Sequence, residues 1–260
     1  LGEADRIVTL YPPRLGKIRV VAKGVRKTTS RLAGHLELLT RSSLMLAVGS
    51  NLDIITQAQT LDAYPVLRQE LERISCGLHV AELIDQLTPE HLESYPTYEL
   101  LTWTLQTLTE DHDRDLVLRY FELHLLTLVG YRPQLQECVR CHREIQPGAH
   151  AFSPYLGGVV CRSCAAGSEQ LRGLSLNALK VLRFIQRSPW AEVRRLRLTP
   201  ELRHETDMAL RDYLRYVIEH DLRAVRLLDS ARSRTLGARQ SPNLTAPEEP
   251  AATLDETTIG

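Results

Sequence analysis

Four cysteines set the tightest constraint on how this chain can fold. Cys138-Val139-Arg140-Cys141 and Cys161-Arg162-Ser163-Cys164 form a C-x2-C-x19-C-x2-C pattern within 27 residues. Two residues between cysteines let one tight turn present both thiolates to a single tetrahedral ion, and a second such turn closes a four-coordinate shell. A secreted disulfide framework would spread its cysteines and leave none over, whereas this chain has five. The pattern therefore reads as one structural Zn2+ held by Cys138, Cys141, Cys161 and Cys164. Four thiolates leave no open coordination position, so the ion is not expected to hydrolyse anything. Pro147, Gly148, Pro154, Gly157 and Gly158 between the pairs suit a loop or hairpin that brings them together. The fifth cysteine, Cys76, lies in an apolar helical stretch and reads as a small buried hydrophobe.

Charge is the second informative feature, because a zero net charge, 32 basic against 32 acidic residues, conceals strong segregation. From Arg14 to Arg41 eight basic residues face one acid, Glu37. From Cys76 to Glu137 three basic residues face eleven acids, and from Cys138 to Asp229 the balance is fifteen to ten in favour of base. Such segregation creates local potentials that a net charge cannot report. At 260 residues the length suits one or two domains, and 43% hydrophobic with 25% charged residues is an ordinary globular composition. The longest stretch without Asp, Glu, Lys or Arg, Ile145 to Cys161, is rich in Gly, Pro and Ser, so no membrane span is expected. Glu3, Asp5 and Arg6 argue against a secretory leader, and the expected location is the cytoplasm.

The first sixty residues read as short strands: Arg6 to Leu10, Lys17 to Lys23, His35 to Thr40, Leu44 to Val48 and Asp53 to Leu61. Pro12, Pro13 and Gly16 mark the first turn, Gly24 a bend, and Ser42-Ser43 a break. Five such strands predict a small antiparallel barrel over residues 1–63. A helical pattern follows over 64–229. It runs from Val66 to Leu87 with Gly77 as a candidate break, from Pro96 to Leu108, and from Asp113 through Leu116 to Val129 as the buried centre. Two more helices run from Ser175 to Arg187 and from Thr199 to about His220. The zinc-binding insertion occupies 135–167, and 230–260 is expected to be a disordered tail. The fold class is thus α+β and multidomain.

Several catalytic patterns fail. Gly16-Lys17 continues into Ile18 without the upstream glycine of a phosphate loop, so nucleotide hydrolysis is not expected. His35-Leu36-Glu37 and His91-Leu92-Glu93 echo zinc deaminases, but Glu137 stands where a proline would precede Cys138, and the second cysteine pair would go unused. His79, His112, His124, His204 and His220 read as helix-surface or satisfied core residues.

Gly2-Glu3-Ala4-Asp5-Arg6-Ile7-Val8-Thr9-Leu10, Gly16-Lys17, Ala22-Lys23-Gly24-Val25-Arg26-Lys27 with Ser30-Arg31, and a four-cysteine pair after a helical block together resemble the RecO family of recombination mediators. The resemblance runs from Gly2 to about Leu228. It implies an N-terminal OB-fold, a helical domain interrupted by a four-cysteine zinc ribbon, and a non-enzymatic role in DNA repair in the bacterial cytoplasm, associated with the nucleoid. It also implies binding of single- and double-stranded DNA, annealing of complementary strands, and engagement of the C-terminal tail of single-stranded-DNA-binding protein. RecR would be a direct partner and RecA, which the two load, an indirect one. Family members usually carry a further strand before the Gly-Glu-Ala-Asp segment, so the resemblance implies either that an N-terminal segment of the OB-fold is absent here or that the start is unusual.

On this footing Lys17, Arg19, Lys23, Arg26, Lys27 and Arg31 become candidate phosphate contacts of a basic barrel. Tyr11 is the only aromatic residue before Tyr64, so binding is expected to be mainly electrostatic rather than by base stacking. Arg194, Arg195, Arg197, Arg211 and Arg215 are candidates for pairing with the acidic partner tail. The alternative reading is a zinc-ribbon adaptor that binds proteins and does not anneal DNA.

Overall fold

Period-two alternation organises the N-terminal segment of the computed structural model, which describes residues 2–111, 113–166 and 171–237, with 220–237 described by backbone alone. β1 (Arg6–Leu10) pairs antiparallel with β2 (Ile18–Ala22). β2 pairs parallel with β4 (Asp53–Asp62), which pairs antiparallel with β3 (Arg41–Ala47), giving the order β1-β2-β4-β3. Ile18, Val20, Ala22, Val25 and Ile55 form a small buried core under this OB-fold sheet, joined by Val8, Leu10, Leu36, Leu44 and Leu46. Register shifts at Arg41/Ser42 and Met45/Leu46 bend β3 over that core.

The sheet has four strands instead of five, and the expected strand from His35 to Thr40 is not one of them. Ala33–His35 is a turn of 3-10 helix, and Leu39 is left-handed at φ 58°. Leu36 joins the sheet core, and Leu39, in a left-handed conformation that no strand residue adopts, turns the chain so that its own side chain packs against the helical core. Conversely, Ser42-Ser43 lies within β3: Ser42 faces inward, where its hydroxyl donates to His35 O at 2.7 Å.

The helical part begins with α1 (Pro65–Gln69) and α2 (Leu71–Leu87), broken at Glu70. Gly77 sits inside an unbroken α2, because a Cβ there would lie 2.5 Å from Leu39 Cδ1: the glycine admits a neighbour and does not end the helix. α3 (Tyr95–Glu110) carries Pro96 in its first turn. α4 (Arg114–Leu128) is the buried centre, with Leu116, Val117, Phe121, Leu123, Leu125 and Leu126 all essentially inaccessible. Asp113 caps it by accepting from Leu116 N at 3.2 Å and receives both Arg203 guanidinium nitrogens at 2.6 Å.

α4 also buries charge that its apolar pattern did not announce. Glu122 Oε1 accepts from Arg119 Nη2 at 2.8 Å and lies 2.9 Å from His79 Nε2, while Arg119 Nη1 bonds Asp207. These groups pair across α2, α4 and the last helix, although Glu122 Oε2 and Arg119 Nε are buried without a hydrogen-bond partner.

β5 (His150–Ser153), β6 (Gly158–Val160) and β7 (Arg172–Leu174) make a second sheet, in the order β6-β5-β7. A one-turn helix, α5 (Arg162–Ala165), lies between β6 and β7. Next come α6 (Leu176–Arg187), capped by the Ser175 hydroxyl, the short α7 (Trp190–Val193) and α8 (Pro200–Gly237). α8 extends beyond the expected end near His220 and into the segment expected to be a tail; residues 238–260 lie outside the described ones. Contacts divide the chain into Leu1–Glu219 and His220–Gly260, and the cores and sites lie within the first unit.

Candidate metal centre and nucleic-acid interface

The first cysteine turn closes a hairpin. Glu137 bridges Glu144, Ile145 N donates to Gln136 O at 3.0 Å, and Cys138 N donates to Arg143 O at 2.9 Å. The turn itself folds back through His142 N to Cys138 O at 2.8 Å, with His142 left-handed at φ 57°. The second cysteine turn begins α5, where Cys164 N donates to Cys161 O at 3.0 Å. Val139 N to Val159 O, at 3.0 Å, draws the two together.

All four Sγ atoms lie within 4.8 Å of one another, and Cys141 Sγ is 3.8 Å from Cys161 Sγ. A Zn–S bond of about 2.3 Å in a tetrahedron sets sulfur atoms about 3.8 Å apart, so the donor set fits a four-thiolate metal centre. Cys138 is fully buried and its sulfur accepts from Cys161 N at 3.4 Å. The Arg143 guanidinium beside Cys141, at 3.5 Å, pulls that thiol down to about 6, which favours the thiolate a metal needs. Cys76 stands apart, half-buried, its thiol pushed up by burial.

The ribbon is not an independent appendage. Leu135, Cys138, Ile145, Phe152, Val159, Val160 and Leu174 share one core with α4, α6 and α8. The Phe152 ring meets Tyr213 edge to face at 5.7 Å, Tyr213 Oη donates to Tyr131 O at 3.0 Å, and Arg183 Nε donates to Leu135 O at 2.7 Å.

In the N-terminal sheet, the basic turn after β2 is clasped by residues Gly2 to Asp5. Asp5 Oδ1 accepts from Gly24 N and Oδ2 from Gly2 N, both at 2.8 Å, and Arg26 N donates to Ala4 O at 3.0 Å. The Gly24 and Gly2 N–H groups hold the Asp5 carboxyl below the usual carboxylate range. Gly24 has φ +62°, a conformation that glycine adopts without strain. Val25 is buried in the sheet core, so Lys23, Arg26, Lys27 and Arg31 stay exposed around it. Two of the segments that carry the resemblance, Gly2 to Arg6 and Ala22 to Arg26, are therefore two halves of one hydrogen-bonded structure.

Lys17 and Arg19 are placed differently from those four. Lys17 Nζ reaches Asp85 Oδ1 at 3.3 Å with only 12% of its side chain exposed, and Arg19 Nε meets Glu90 Oε1 at 2.7 Å. Both cations face the helical part across a seam where His91 N donates to Lys17 O at 2.9 Å and Gly16 packs on Leu92 O. Of the six candidate phosphate contacts, four are exposed and form no ion pair, and two, Lys17 and Arg19, pair with carboxylates of the helical part. Sequence reasoning missed Asp5 as the clasp and Asp85 and Glu90 as partners; only Asp5 carried a sequence signal, its place in the Gly2-Glu3-Ala4-Asp5 segment.

Among the histidines, His79 pairs with Glu122, His124 stacks on Tyr120 at 4.1 Å and His204 is exposed. His112 and the His220 side chain lie outside the described residues. Arg194, Arg195 and Arg197 line a concave surface beside Trp190, and Arg194 also reaches Asp111 at 3.6 Å. Arg211 is tied to Asp207 at 3.0 Å and Arg215 is exposed.

Models of the recombination protein O N-terminal and C-terminal domains match residues 1–64 and 68–226. The chain belongs to the RecO family. It is 46% identical to the DNA repair protein RecO of Roseiflexus sp. (strain RS-1) over 231 residues, covering 89% of this chain and 81% of that protein. It is 39% identical to DNA repair protein RecO of Dehalococcoides mccartyi (strain BAV1), covering 89% and 91%, and 36% identical to that of Pelotomaculum thermopropionicum, covering 88% of each. RecO membership ties the chain to DNA repair and recombination. Among the described residues no helix is long and apolar enough to cross a membrane.

Proposed function

We propose that this protein is a recombination mediator that binds single- and double-stranded DNA without sequence preference and anneals complementary strands. With RecR it would load RecA onto DNA coated by single-stranded-DNA-binding protein, acting in the cytoplasm at the nucleoid and catalysing no reaction of its own. The observation that carries this reading is the exposed turn bearing Lys23, Arg26, Lys27 and Arg31. Its backbone is fixed by Asp5, and among the described residues no carboxylate forms an ion pair with any of the four. Four exposed cations, none in an ion pair although Lys23 lies close enough to the Asp5 carboxyl to help lower it, are suited to phosphates and not to base edges. Lys17, mostly covered and paired with Asp85, anchors the seam beside this surface. The resident ion is Zn2+, one per chain, bound by Cys138, Cys141, Cys161 and Cys164 as a structural centre. The Trp190 surface with Arg194, Arg195 and Arg197 is the proposed receiver for the acidic, apolar-ended tail of single-stranded-DNA-binding protein.

Charge reversal of Lys23, Arg26 and Lys27 tests the DNA surface. Oligonucleotide affinity should fall by more than about tenfold at low salt, with annealing lost and the melting temperature unchanged. Retained affinity places the DNA surface elsewhere. Wild-type affinity should also drop steeply between about 50 and 200 mM salt, as counterion release requires.

A further inference from the structure

The Arg19–Glu90 pair stands at the end of the cationic surface. Alternation along β2 turns Arg19 outward while Ile18 and Val20 point into the core, and Lys23 follows four residues later, about 13 Å along an extended chain. Arg19 would thus be the next phosphate contact beyond Lys23, were it not occupied. Glu90 takes its guanidinium by the fork, Nε to Oε1 at 2.7 Å and Nη2 to Oε2 at 3.4 Å, and a phosphate would use the same fork. Burial does not lock this pair: the Arg19 side chain is 53% exposed and that of Glu90 38%. Lys17 differs, being mostly covered and bonded to the Asp85 carbonyl as well as its carboxylate. The seam therefore joins a permanent anchor, Lys17–Asp85, to a solvent-accessible ion pair held by charge alone.

We propose that Glu90 is a latch on Arg19, occupying the guanidinium that would extend the phosphate track by one contact, so that the DNA backbone and Glu90 compete for it. The inference rests on the reading of the 23–31 turn as the DNA surface. Glu90 then sets the length of that track and keeps affinity below what the fold could give, a property suited to a protein that must release annealed strands. The loop carrying Glu90 is held independently, by His91 N on Lys17 O, so loss of the carboxylate leaves the seam closed.

The test is oligonucleotide binding against salt for wild type, Glu90→Ala, Glu90→Gln, Arg19→Ala and the Arg19→Ala/Glu90→Ala double variant, with melts to verify folding. One added single-strand phosphate contact steepens the log–log salt slope by about 0.7 and, near 0.1 M salt, tightens binding about fivefold. Glu90→Ala and Glu90→Gln should both show this. Arg19→Ala should leave wild-type affinity within about twofold, and in the double variant it should abolish the gain. Unchanged or weaker binding by the Glu90 variants overturns the latch. So does a gain that survives loss of Arg19, which would mean simple removal of a repulsive charge, and so does a large loss on Arg19→Ala alone. The Lys23, Arg26 and Lys27 charge reversal reads the underlying surface separately. If it weakens binding while the Glu90 variants do nothing, only the latch fails; if it leaves binding intact, the DNA surface itself fails.

Discussion

Replacing Glu122 by leucine removes a carboxylate from the least accessible ionic site in the described structure. The Glu122 side chain is 1% exposed and holds Arg119 at 2.8 Å and His79 at 2.9 Å. Breaking a buried pair by removing one partner costs about 3–5 kcal/mol, because the other charge is left without compensation. Here Arg119, itself only 10% exposed, keeps Asp207, so the expected loss is lower, about 2–3 kcal/mol. For a unit of this size that corresponds to a fall in melting temperature of roughly 5–10 °C. The companion variant, Arg119→Met with Glu122→Leu, removes both buried charges. Asp207 then retains Arg211 at 3.0 Å, and His79 is 38% exposed, so no buried ion is stranded. The double variant should therefore recover to within about 1 kcal/mol of wild type. Thermal and urea unfolding of the zinc-loaded protein, followed by far-ultraviolet circular dichroism, makes the comparison. A single variant that melts within about 2 °C of wild type, or a double variant that is worse than the single one, would refute the reasoning.

Other outcomes follow from particular contacts. Gly16→Ala places a Cβ 1.9 Å from the Leu92 carbonyl oxygen at a φ of +63°. The urea midpoint should therefore drop by the equivalent of at least about 2 kcal/mol, the left-handed strain alone costing about 1–2. Cys141→Ser with Cys161→Ser should abolish zinc, read as metal per chain by mass spectrometry. Because Phe152 and Val159 belong to the common core, the main melting transition should shift as well. Burial raises the Asp113 carboxyl, but the Arg203 hydrogen bonds and the Leu116 N–H outweigh it, and the net shift is downward. A carboxylate with a lowered folded value adds stability above its unfolded value, near about 4, and loses it as pH falls through the folded one. Asp113→Asn should thus destabilise at about pH 7, and the difference from wild type should shrink progressively below about pH 4. Equal differences at about pH 7 and about pH 2.5 would contradict that assignment.

The gathering of the four cysteines was legible in the sequence, because two residues between cysteines dictate a turn of one geometry wherever the turn occurs. Helix starts were nearly as clear: the Ser175 and Asp113 caps and Pro96 act within one turn of chain. The His35–Thr40 segment was not legible, because the left-handed turn at Leu39 goes with its packing against the helical core near Gly77, a contact with residues far along the chain. Gly77 resembled a helix breaker for the same reason, since its purpose depends on Leu39 approaching from another part of the fold.

Charge divides in the same manner. Sequence alone determined that the first domain is basic and the middle of the chain acidic, since both are runs of neighbouring residues. Only the tertiary structure decided which cations are paired. Lys17 and Arg19 share the basic run with Lys23, Arg26, Lys27 and Arg31, but folding puts the first two in ion pairs with Asp85 and Glu90 and none of the other four in an ion pair with a described carboxylate. An ion pair acts over a few ångströms in space and is indifferent to the tens of residues of chain that separate its partners.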